Sequence, residues 1–579
     1  MAINYLIGVG GVGSRIIESV VRLCECGFIT EGELNCLMVD VDEHNGTASN
    51  TLDAITNYRF CRDILKSDTI FKTEIKPVHG RYRISPLEEV TSTTINSIAS
   101  SSRDMSDQNI AQVLFDKNEA AEKVDAGFYG NLALGNAFYT YAVESKGINS
   151  PLHKLLKKIT DDTSTSIVKV YVVGSLFGGT GASGMAFICK QLVEMFKKED
   201  MDRRSKLHIQ ACLMLPYFRY HDNVTLTPDR DGKIPEQKIN HANFKKNALA
   251  ALEKYERLGK VFDKVLMLGD TDLPVRGMYS EEGSRQKNWP HLLEFFAAAE
   301  AGKFFNIPEA SLPSDGYGNT DWYANPFRVN GTSEKSTPYN IECIDWSDYD
   351  DHMSLKKKLE DFLLLNYYYS MYIVPTLFDY SGGQLRSWNF TSDDEATDDR
   401  KDDMPEWALS RFVKWERVIL RKHPKRWFNG IAVDKFNLLY KYFTESAQWY
   451  YTMAYDYGET GEGDRPCWEA GEIPACAGSP DCQRVRTPLF PKIFQGNGGN
   501  GVKVLSERAC MPRREFRKYL SGAGKVHSDV GRTSPNLDER LQAVEGSDGE
   551  ERQNVMFVEL INELYKRVAA TTLGIVGNK

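Results

Sequence analysis

The N-terminal half of the chain alternates short apolar runs with amphipathic segments of helical period. The apolar runs 3–9, 34–42 and 168–174 predict buried strands, because strands of a parallel sheet are covered on both faces. Strands that alternate with helices predict an α/β fold with a doubly wound nucleotide-binding domain over residues 1–285. Further strands are predicted at 208–215 and 262–268, and helices at 15–23, 182–197 and 243–258.

A different pattern follows this alternation. Pro290 precedes a run rich in Leu, Phe and Ala at 291–305, which predicts a long buried helix with proline in its first turn. Residues 307–340 are dense in Pro, Gly, Ser and Asn and predict an extended loop. The expected parts are a central helix (286–306), a mostly helical α+β second domain with loop-rich insertions (307–525), and a polar segment with an amphipathic helix (526–579).

Composition narrows the function classes. A chain of 579 residues is too long for one ordinary core, which agrees with two domains. Its net charge of −9 argues against broad nucleic-acid binding, which needs clustered Lys and Arg. No apolar run approaches the ~20 residues that span a bilayer, and the N-terminus lacks a basic signal region. We therefore expect a cytoplasmic protein without a membrane span.

The eleven cysteines are scattered rather than paired. Those in apolar segments are expected to be buried, reduced thiols. The later ones lack the Cys-x2-Cys spacing of a zinc knuckle, so unligated thiols are favoured over a zinc site and no metal site is assigned. The first group is Cys24, Cys26, Cys36, Cys189 and Cys212, and the second is Cys467, Cys476, Cys482 and Cys510.

Two glycine-rich segments, 8–14 and 178–184, each follow a predicted strand and precede a predicted helix. The first fits Gly-x-Gly-x-x-Gly, where glycines let the backbone approach a phosphate and the helix N-terminus adds positive partial charge. Alone, it is compatible with a dinucleotide site, an adenylating enzyme, a guanine-nucleotide site or a tight structural turn. Carboxylates after the second strand could bind ribose or base groups. The candidate binding residues here are Gly10, Gly11, Val12, Gly13, Asp40 and Asp42.

The second glycine segment makes a dinucleotide site less fitting, since a dehydrogenase uses one such turn for each dinucleotide. Successive backbone N–H groups in such a turn form an anion-binding nest. A third segment of similar character, 125–135, also precedes a helix and could close over a terminal phosphate. The Gly-Lys-Ser/Thr ending of a P-loop is absent from the sequence. The candidates are Gly178, Gly179, Thr180, Gly181 and Ser183, with Ala126, Gly127 and Asn131 in the third segment.

The order of these motifs resembles the tubulin/FtsZ superfamily of GTPases. Gly-Val-Gly-Gly-Val-Gly, Val-Asp-Val-Asp, Ala-Gly-Phe-Tyr-Gly-Asn and Gly-Gly-Thr-Gly-Ala-Ser-Gly follow one another as they do there. The resemblance implies GTP or GDP with Mg²⁺. It places the α- and β-phosphates on the two glycine segments and the γ-phosphate on 126–131. Segment 262–270 resembles the strand that ends in a base-reading Asn. Gly269 stands at that position, followed by the candidate Asp270, and Asn243, Asn247 or Asn288 could substitute for the missing Asn.

The same resemblance implies split hydrolytic machinery, in which one subunit supplies an acidic loop to the nucleotide of the next. Asp345-Trp346-Ser347-Asp348 is similar to that loop, and Asp345 and Asp348 are the candidate catalytic residues. The alternative interpretation is a helix N-terminus at which acidic side chains interact favourably with the helix dipole. His291, before the central helix, could face the base or cap the helix.

Three functions remain open from the sequence. The first is a GTP-binding protein that hydrolyses GTP at a head-to-tail contact and self-assembles into an oligomer or filament. The second is a ubiquitin-activating-type adenylating enzyme, to which the first glycine segment and Val39-Asp40-Val41-Asp42 are similar. The third is a nucleotide-binding scaffold that neither hydrolyses nor polymerises.

Overall fold

The structure is a computed structural model, which describes part of the chain. The described residues are 2–29, 32–42, 46–88, 94–101, 105–121, 123–124, 127–128, 130–196, 200–219, 241–269, 277–278, 287–288, 290–312, 320–324, 327–328, 378–381, 384–387, 456–457 and 485–486, and the single helical positions 355, 358, 362, 442, 445, 446 and 449.

Nine strands of the described chain form one sheet, in which eight are parallel and the last is antiparallel to its neighbour. In spatial order the strands are β11, β10, β7, β6, β5, β1, β2 and β3, and β4 also pairs with β2. Their bounds are β1 (Ile3–Val9), β2 (Glu33–Val39), β3 (Glu74–Pro77), β4 (Arg83–Ile84), β5 (Val168–Ser175), β6 (Leu207–Met214), β7 (Lys264–Leu268), β10 (Asp321–Ala324) and β11 (Phe327–Arg328). Two short strands, β8 (Gly277–Met278) and β9 (Lys287–Asn288), pair with each other.

Eleven α-helices accompany these strands in the described residues. Within them, no helix is both long and apolar enough to cross a bilayer. Their bounds are α1 (Gly10–Glu25), α2 (Gly46–Leu65), α3 (Ile95–Ser101), α4 (Met105–Leu114), α5 (Lys117–Ala121), α6 (Leu132–Lys146), α7 (Pro151–Asp161), α8 (Gly179–Glu194), α9 (Met201–Arg204), α10 (Phe244–Glu256) and α11 (Leu292–Asn306).

Helices cover both faces of the sheet, as β5 shows. Every residue of β5 is buried, and its side chains alternate between two environments. Val170 and Val172 belong to the core that includes residues of α6, α7, α8 and α10. On the opposite face, the Tyr171 hydroxyl donates to the Ala297 carbonyl of α11 at 3.0 Å. The α/β, doubly wound fold class is therefore confirmed for the N-terminal domain.

The strands and helices predicted for this domain are confirmed, although two helices begin earlier than predicted and one predicted loop contains a strand. Both helices that follow a glycine segment begin inside it, α1 at Gly10 and α8 at Gly179. The loop predicted for 307–340 is wrong at β10, which pairs in parallel with β7. Trp322 and Tyr323 favour a strand there, although the surrounding Pro and Gly residues dominate the composition. The five cysteines predicted to be buried are buried.

The chain divides into two compact units. The first comprises Met1–Leu23, Ile29–Thr56 and Thr73–Ile344, and the second Cys24–Phe28, Asn57–Lys72 and Asp345–Lys579. Within the second unit, the Phe71 ring packs edge-on against Phe362, with 5.9 Å between ring centroids. The predicted domain boundaries stay predictions, and most of the expected C-terminal domain lies outside the described residues.

Candidate functional site

The candidate site lies where the strand order of the sheet reverses. From β1 the chain builds β2 on one side, whereas β5, β6 and β7 lie on the other side. In open α/β sheets, ligands bind outside the carboxyl ends of the strands at such a switch point. The strand register pairs Val9 with both Gly174 and Val39. The next residues, Ser175, Gly10 and Asp40, therefore lie side by side at the edge of the sheet.

The two glycine segments meet at this edge. Gly10 has a φ of +74°, a left-handed backbone that residues with side chains rarely adopt. A Cβ atom built on Gly10 would lie 3.3 Å from the backbone nitrogen of Gly181 and 3.4 Å from the Cβ of Thr180. The N-termini of α1 and α8 are thus in direct contact, and their first-turn N–H groups belong to one region of the surface.

The start of α8 is an uncapped helix N-terminus. Gly178 is its N-cap in an extended conformation, and no side chain of that residue caps the helix. The first N–H groups of a helix have no acceptor within the helix, so they suit an anion. The Thr180 side chain lies in this turn and is almost fully buried. The buried Ser183 hydroxyl donates to the Gly179 carbonyl at 2.7 Å, which ties the second turn back to the first.

The third predicted segment lies against the same turn. A Cβ atom on Gly179 would lie 2.6 Å from the Cβ of Phe128, so the two segments touch through a glycine that leaves no space for a side chain. Asn131 caps α6, because its Oδ1 accepts from the Leu134 N–H at 3.0 Å. Gly127 has a φ of +116°. Ala126 lies outside the described residues.

The two candidate carboxylates after β2 differ in environment. Asp40 is only 3% exposed, and its Oδ1 accepts from the backbone N–H of Asp42 at 3.3 Å. Asp42 is half-buried, and its backbone carbonyl accepts a hydrogen bond from the Arg83 guanidinium. Asp40 is therefore the carboxylate that the fold fixes beside Gly10, and Asp42 orients it through the backbone.

The candidates for the base and hydrolytic ends are less completely described. The Asn247 side chain donates to the Phe177 carbonyl at 3.4 Å, so it braces the second glycine segment. Asn288 lies in β9, where its backbone pairs with Gly277. Asp270, Asp345 and Asp348 lie outside the described residues.

Comparison with known families agrees with this arrangement. Residues 5–290 match the family described as tubulin-like, and this range contains all three segments of the candidate site. Residues 5–290 are therefore a divergent tubulin-like sequence. No curated protein matches the chain.

Two solved structures also match the chain. CetZ from Methanosaeta thermophila strain DSM 6194 is 11% identical, with 55% of this chain and 58% of that one covered and a TM-score of 0.26. CetZ2 from Haloferax volcanii, solved as a GTPγS-bound protofilament, is 14% identical, with 53% and 61% covered and a TM-score of 0.23. The match thus spans about three fifths of those chains.

A buried polar network joins α1 of the tubulin-like domain to the start of α11. Arg15 forms an ion pair with Glu294 at 2.7 Å, and the Tyr217 hydroxyl donates to the same carboxylate at 2.5 Å. Glu294 also accepts from the His291 N–H at 3.1 Å, while the His291 ring accepts from Leu293. His291 is therefore a capping residue, and α11 begins after Pro290 rather than with it.

Opposing effects act on the pKa of the buried Glu294 carboxyl. Burial raises the pKa of this carboxyl, and Arg15, Tyr217 and the His291 N–H oppose that rise because they stabilise the ionised form. Arg15 is five residues after Gly10 on α1. The network therefore connects the helix that carries the first glycine turn to the central helix.

Sequence reasoning missed three contributors to this region. Ser175 ends the buried strand β5, and its hydroxyl would lie 2.8 Å from a Cβ atom on Gly178. Tyr139 lies on α6, far from the glycine segments in sequence, yet its ring touches Gly184 of α8. Glu294 had a visible signal, because an acid in the third position after a helix cap is typical of a capping box.

Proposed function

We propose that this tubulin-like chain binds GTP or GDP, with the phosphate tail seated between the N-termini of α1 and α8. The observation that carries the proposal is the contact of Gly10 with Gly181 and Thr180 at the switch point of the sheet. Two helix N-termini that converge present several N–H groups and two positive partial charges to one anion. A triphosphate is the anion that the family resemblance suggests.

Each segment then has a defined part. The turns that start at Gly10 and Gly178 hold the α- and β-phosphates through backbone N–H groups, with Thr180 adding a hydroxyl. The segment 126–131 covers the terminal phosphate. Asp40 and Asp42 bind ribose or base groups. On this proposal Asp270 and Asn288 lie towards the base.

Mg²⁺ fits the proposed site as a companion of the nucleotide. Among the described residues, no group of three or more His, Cys, Asp or Glu side chains is placed to hold a metal ion. Mg²⁺ commonly binds through phosphate oxygens and water with one or two carboxylates. Asp40 is a buried carboxylate at the strand end beside the Gly10 turn, so it would supply the contact from the protein.

Hydrolysis and assembly are the further part of the proposal. Following the resemblance, Asp345 and Asp348 of one copy reach the nucleotide of the next and position the attacking water. A head-to-tail contact of this kind generates a filament when its rotation does not close into a ring. A cytoplasmic location follows the same resemblance.

The test measures the GTPase rate of the full chain against protein concentration, with light scattering in parallel and ATP as the control nucleotide. Shared sites predict a turnover that rises more steeply than protein concentration, together with scattering, and only with GTP. Asp345→Ala and Asp348→Ala are expected to preserve GTP binding and reduce turnover. Turnover strictly proportional to protein would contradict a site completed by a second copy.

The same experiment separates the alternatives. An adenylating enzyme would exchange pyrophosphate into ATP and would leave the α8 turn without a role. A scaffold would bind GTP without turnover or scattering. The contact between the two helix N-termini favours the tubulin-like interpretation over adenylation, because it uses both turns.

A further inference from the structure

Tyr139 is a buried tyrosine whose hydroxyl the fold leaves without a partner. Its side chain is fully buried on α6, and its Oη makes no hydrogen bond within the described part of the structure. A buried hydroxyl that lacks a partner destabilises a fold by roughly 1–3 kcal/mol, so such groups are uncommon and call for an explanation.

Packing fixes the position of this hydroxyl. The Tyr139 ring lies between Phe128 and Phe187, with centroid distances of 5.9 and 5.5 Å. On α8, Gly184 leaves the space that the hydroxyl occupies, because a Cβ atom there would lie 2.6 Å from the Tyr139 Cζ and 2.7 Å from Val9 Cγ1. The hydroxyl therefore lies against Gly184 and close to Val9, the last residue of β1.

Asp40 is the buried carboxylate at the strand end next to β1, where this hydroxyl lies. It follows β2 beside the end of β1, and it is almost fully buried. Burial raises the pKa of Tyr139 well above its usual range, and the negative charge of Asp40 raises it further. A tyrosine hydroxyl can donate a hydrogen bond to a carboxylate.

We propose that Tyr139 is a positioning residue of the nucleotide site, which acts by donating a hydrogen bond to the Asp40 carboxylate, directly or through one buried water. The bond turns the carboxylate towards the turn at Gly10 when nucleotide and its cation bind. The inference rests on the proposed function. It adds a residue of α6 that positions the Asp40 carboxylate. This role would explain why a tyrosine, rather than a phenylalanine, packs between Phe128 and Phe187.

The test is a double-mutant cycle on the full chain with Tyr139→Phe and Asp40→Asn, read as the Kd for Mg²⁺–GTP and as the midpoint of thermal unfolding. Tyr139→Phe removes one oxygen and keeps the ring packing. A hydrogen bond to a charged group predicts that it raises the Kd about tenfold. In the Asp40→Asn background the same change is expected to alter the Kd less than about twofold, because the acceptor charge is gone.

Tyr255→Phe is the matched control. Tyr255 is also buried against α8, but its hydroxyl already has an acceptor, the Ala182 carbonyl at 3.4 Å. This variant is expected to lower the unfolding midpoint slightly and to leave the Kd unchanged.

The outcomes separate the two claims. If wild type binds GTP and Tyr139→Phe binds it equally well with a higher unfolding midpoint, the hydroxyl is only an unsatisfied packing group and the inference is overturned. A tenfold loss that persists in Asp40→Asn would overturn the route through Asp40. If wild type binds no GTP, the proposed function itself fails and the inference falls with it.

Discussion

The two helix starts at the switch point look alike in sequence and differ in construction. The α1 turn depends on the left-handed backbone of Gly10, which brings its main chain close to Thr180 and Gly181 of α8. The α8 turn has an extended N-cap, and the hydroxyl groups of Ser175, Thr180 and Ser183 lie in or beside it. The α1 turn therefore lets the backbone approach closely, and the α8 turn supplies both N–H groups and side-chain hydroxyls. Similar glycine patterns can thus serve complementary parts of one site.

The largest effect is expected at Gly181. A Cβ atom there would lie 2.6 Å from the Ser175 carbonyl oxygen and 2.8 Å from its nitrogen, so Gly181→Ala forces β5 and α8 apart. Overpacking of this kind destabilises a protein by about 1–3 kcal/mol or more. Chemical denaturation should show that loss, and a GTP titration should show a large loss of affinity.

Gly178→Ala is the control within the same turn. Its φ is −95°, and the new methyl group would meet only the Ser175 hydroxyl, which can rotate away. We expect a loss of stability well below that of Gly181→Ala. Equal losses in the two variants would contradict the view that the α8 turn is fixed by its approach to the β5 backbone.

A smaller effect is expected at Gly10, in the other turn. Gly10→Ala places a side chain at a φ of +74°, which costs about 1–2 kcal/mol, and crowds the junction with α8. Gly80→Ala places a side chain at a similar φ of +77° in open space between β3 and β4. Denaturation should therefore show similar losses for both, whereas only Gly10→Ala should weaken GTP binding. A Gly10→Ala protein with unchanged affinity would place the phosphates away from the junction.

Removing a hydroxyl from the α8 turn should have the next largest effect on GTP binding. Thr180→Ala is expected to raise the Kd for GTP about tenfold, by the loss of a hydrogen bond to a charged phosphate, and Thr180→Ser should retain most of the affinity. Ser183→Ala should act mainly on stability, since its hydroxyl donates within α8. If Ser183→Ala weakened binding more than Thr180→Ala, the roles of the two hydroxyls would have to be exchanged.

The smallest effect is a pH dependence carried by Glu294. Burial raises the pKa of this carboxyl above its ordinary value near 4.5, so the folded state binds the proton more tightly than the unfolded state does. The stability from this group is present below the unfolded pKa and is lost as the pH rises through the folded pKa. The free energy of unfolding of wild type relative to Glu294→Gln should therefore decline as the pH rises from about 4 towards neutrality. A difference that grows with pH would mean that Arg15 outweighs burial.

The sequence predicts the sheet well because buried parallel strands leave a strong local signal. The runs that became β1, β5 and β6 are mainly apolar, and glycines mark the turns after β1 and β5. It fails at β10, where four residues join the sheet through a pairing with β7 that no local pattern encodes. Strand pairing of this kind depends on the tertiary fold rather than on propensity.

The candidate site was predictable only where its chemistry is local. The glycine turns and Asp40 are visible as motifs, whereas Tyr139 reaches the junction from a separate helix. The contact of Gly10 with Thr180 joins segments about 170 residues apart, as their numbering shows. Sequence patterns identify such segments, but the register of β1 with β5 determines that they meet.

The central claim is that the two helix starts form one nucleotide site rather than two. Isothermal titration of the full chain with GTP measures the number of sites directly, in wild type, Gly10→Ala and Thr180→Ala. We predict one GTP per chain in wild type, and weaker binding at that same site in both variants, although the changes lie in different helices. Two sites per chain, or one variant that binds GTP as wild type does, would contradict the account.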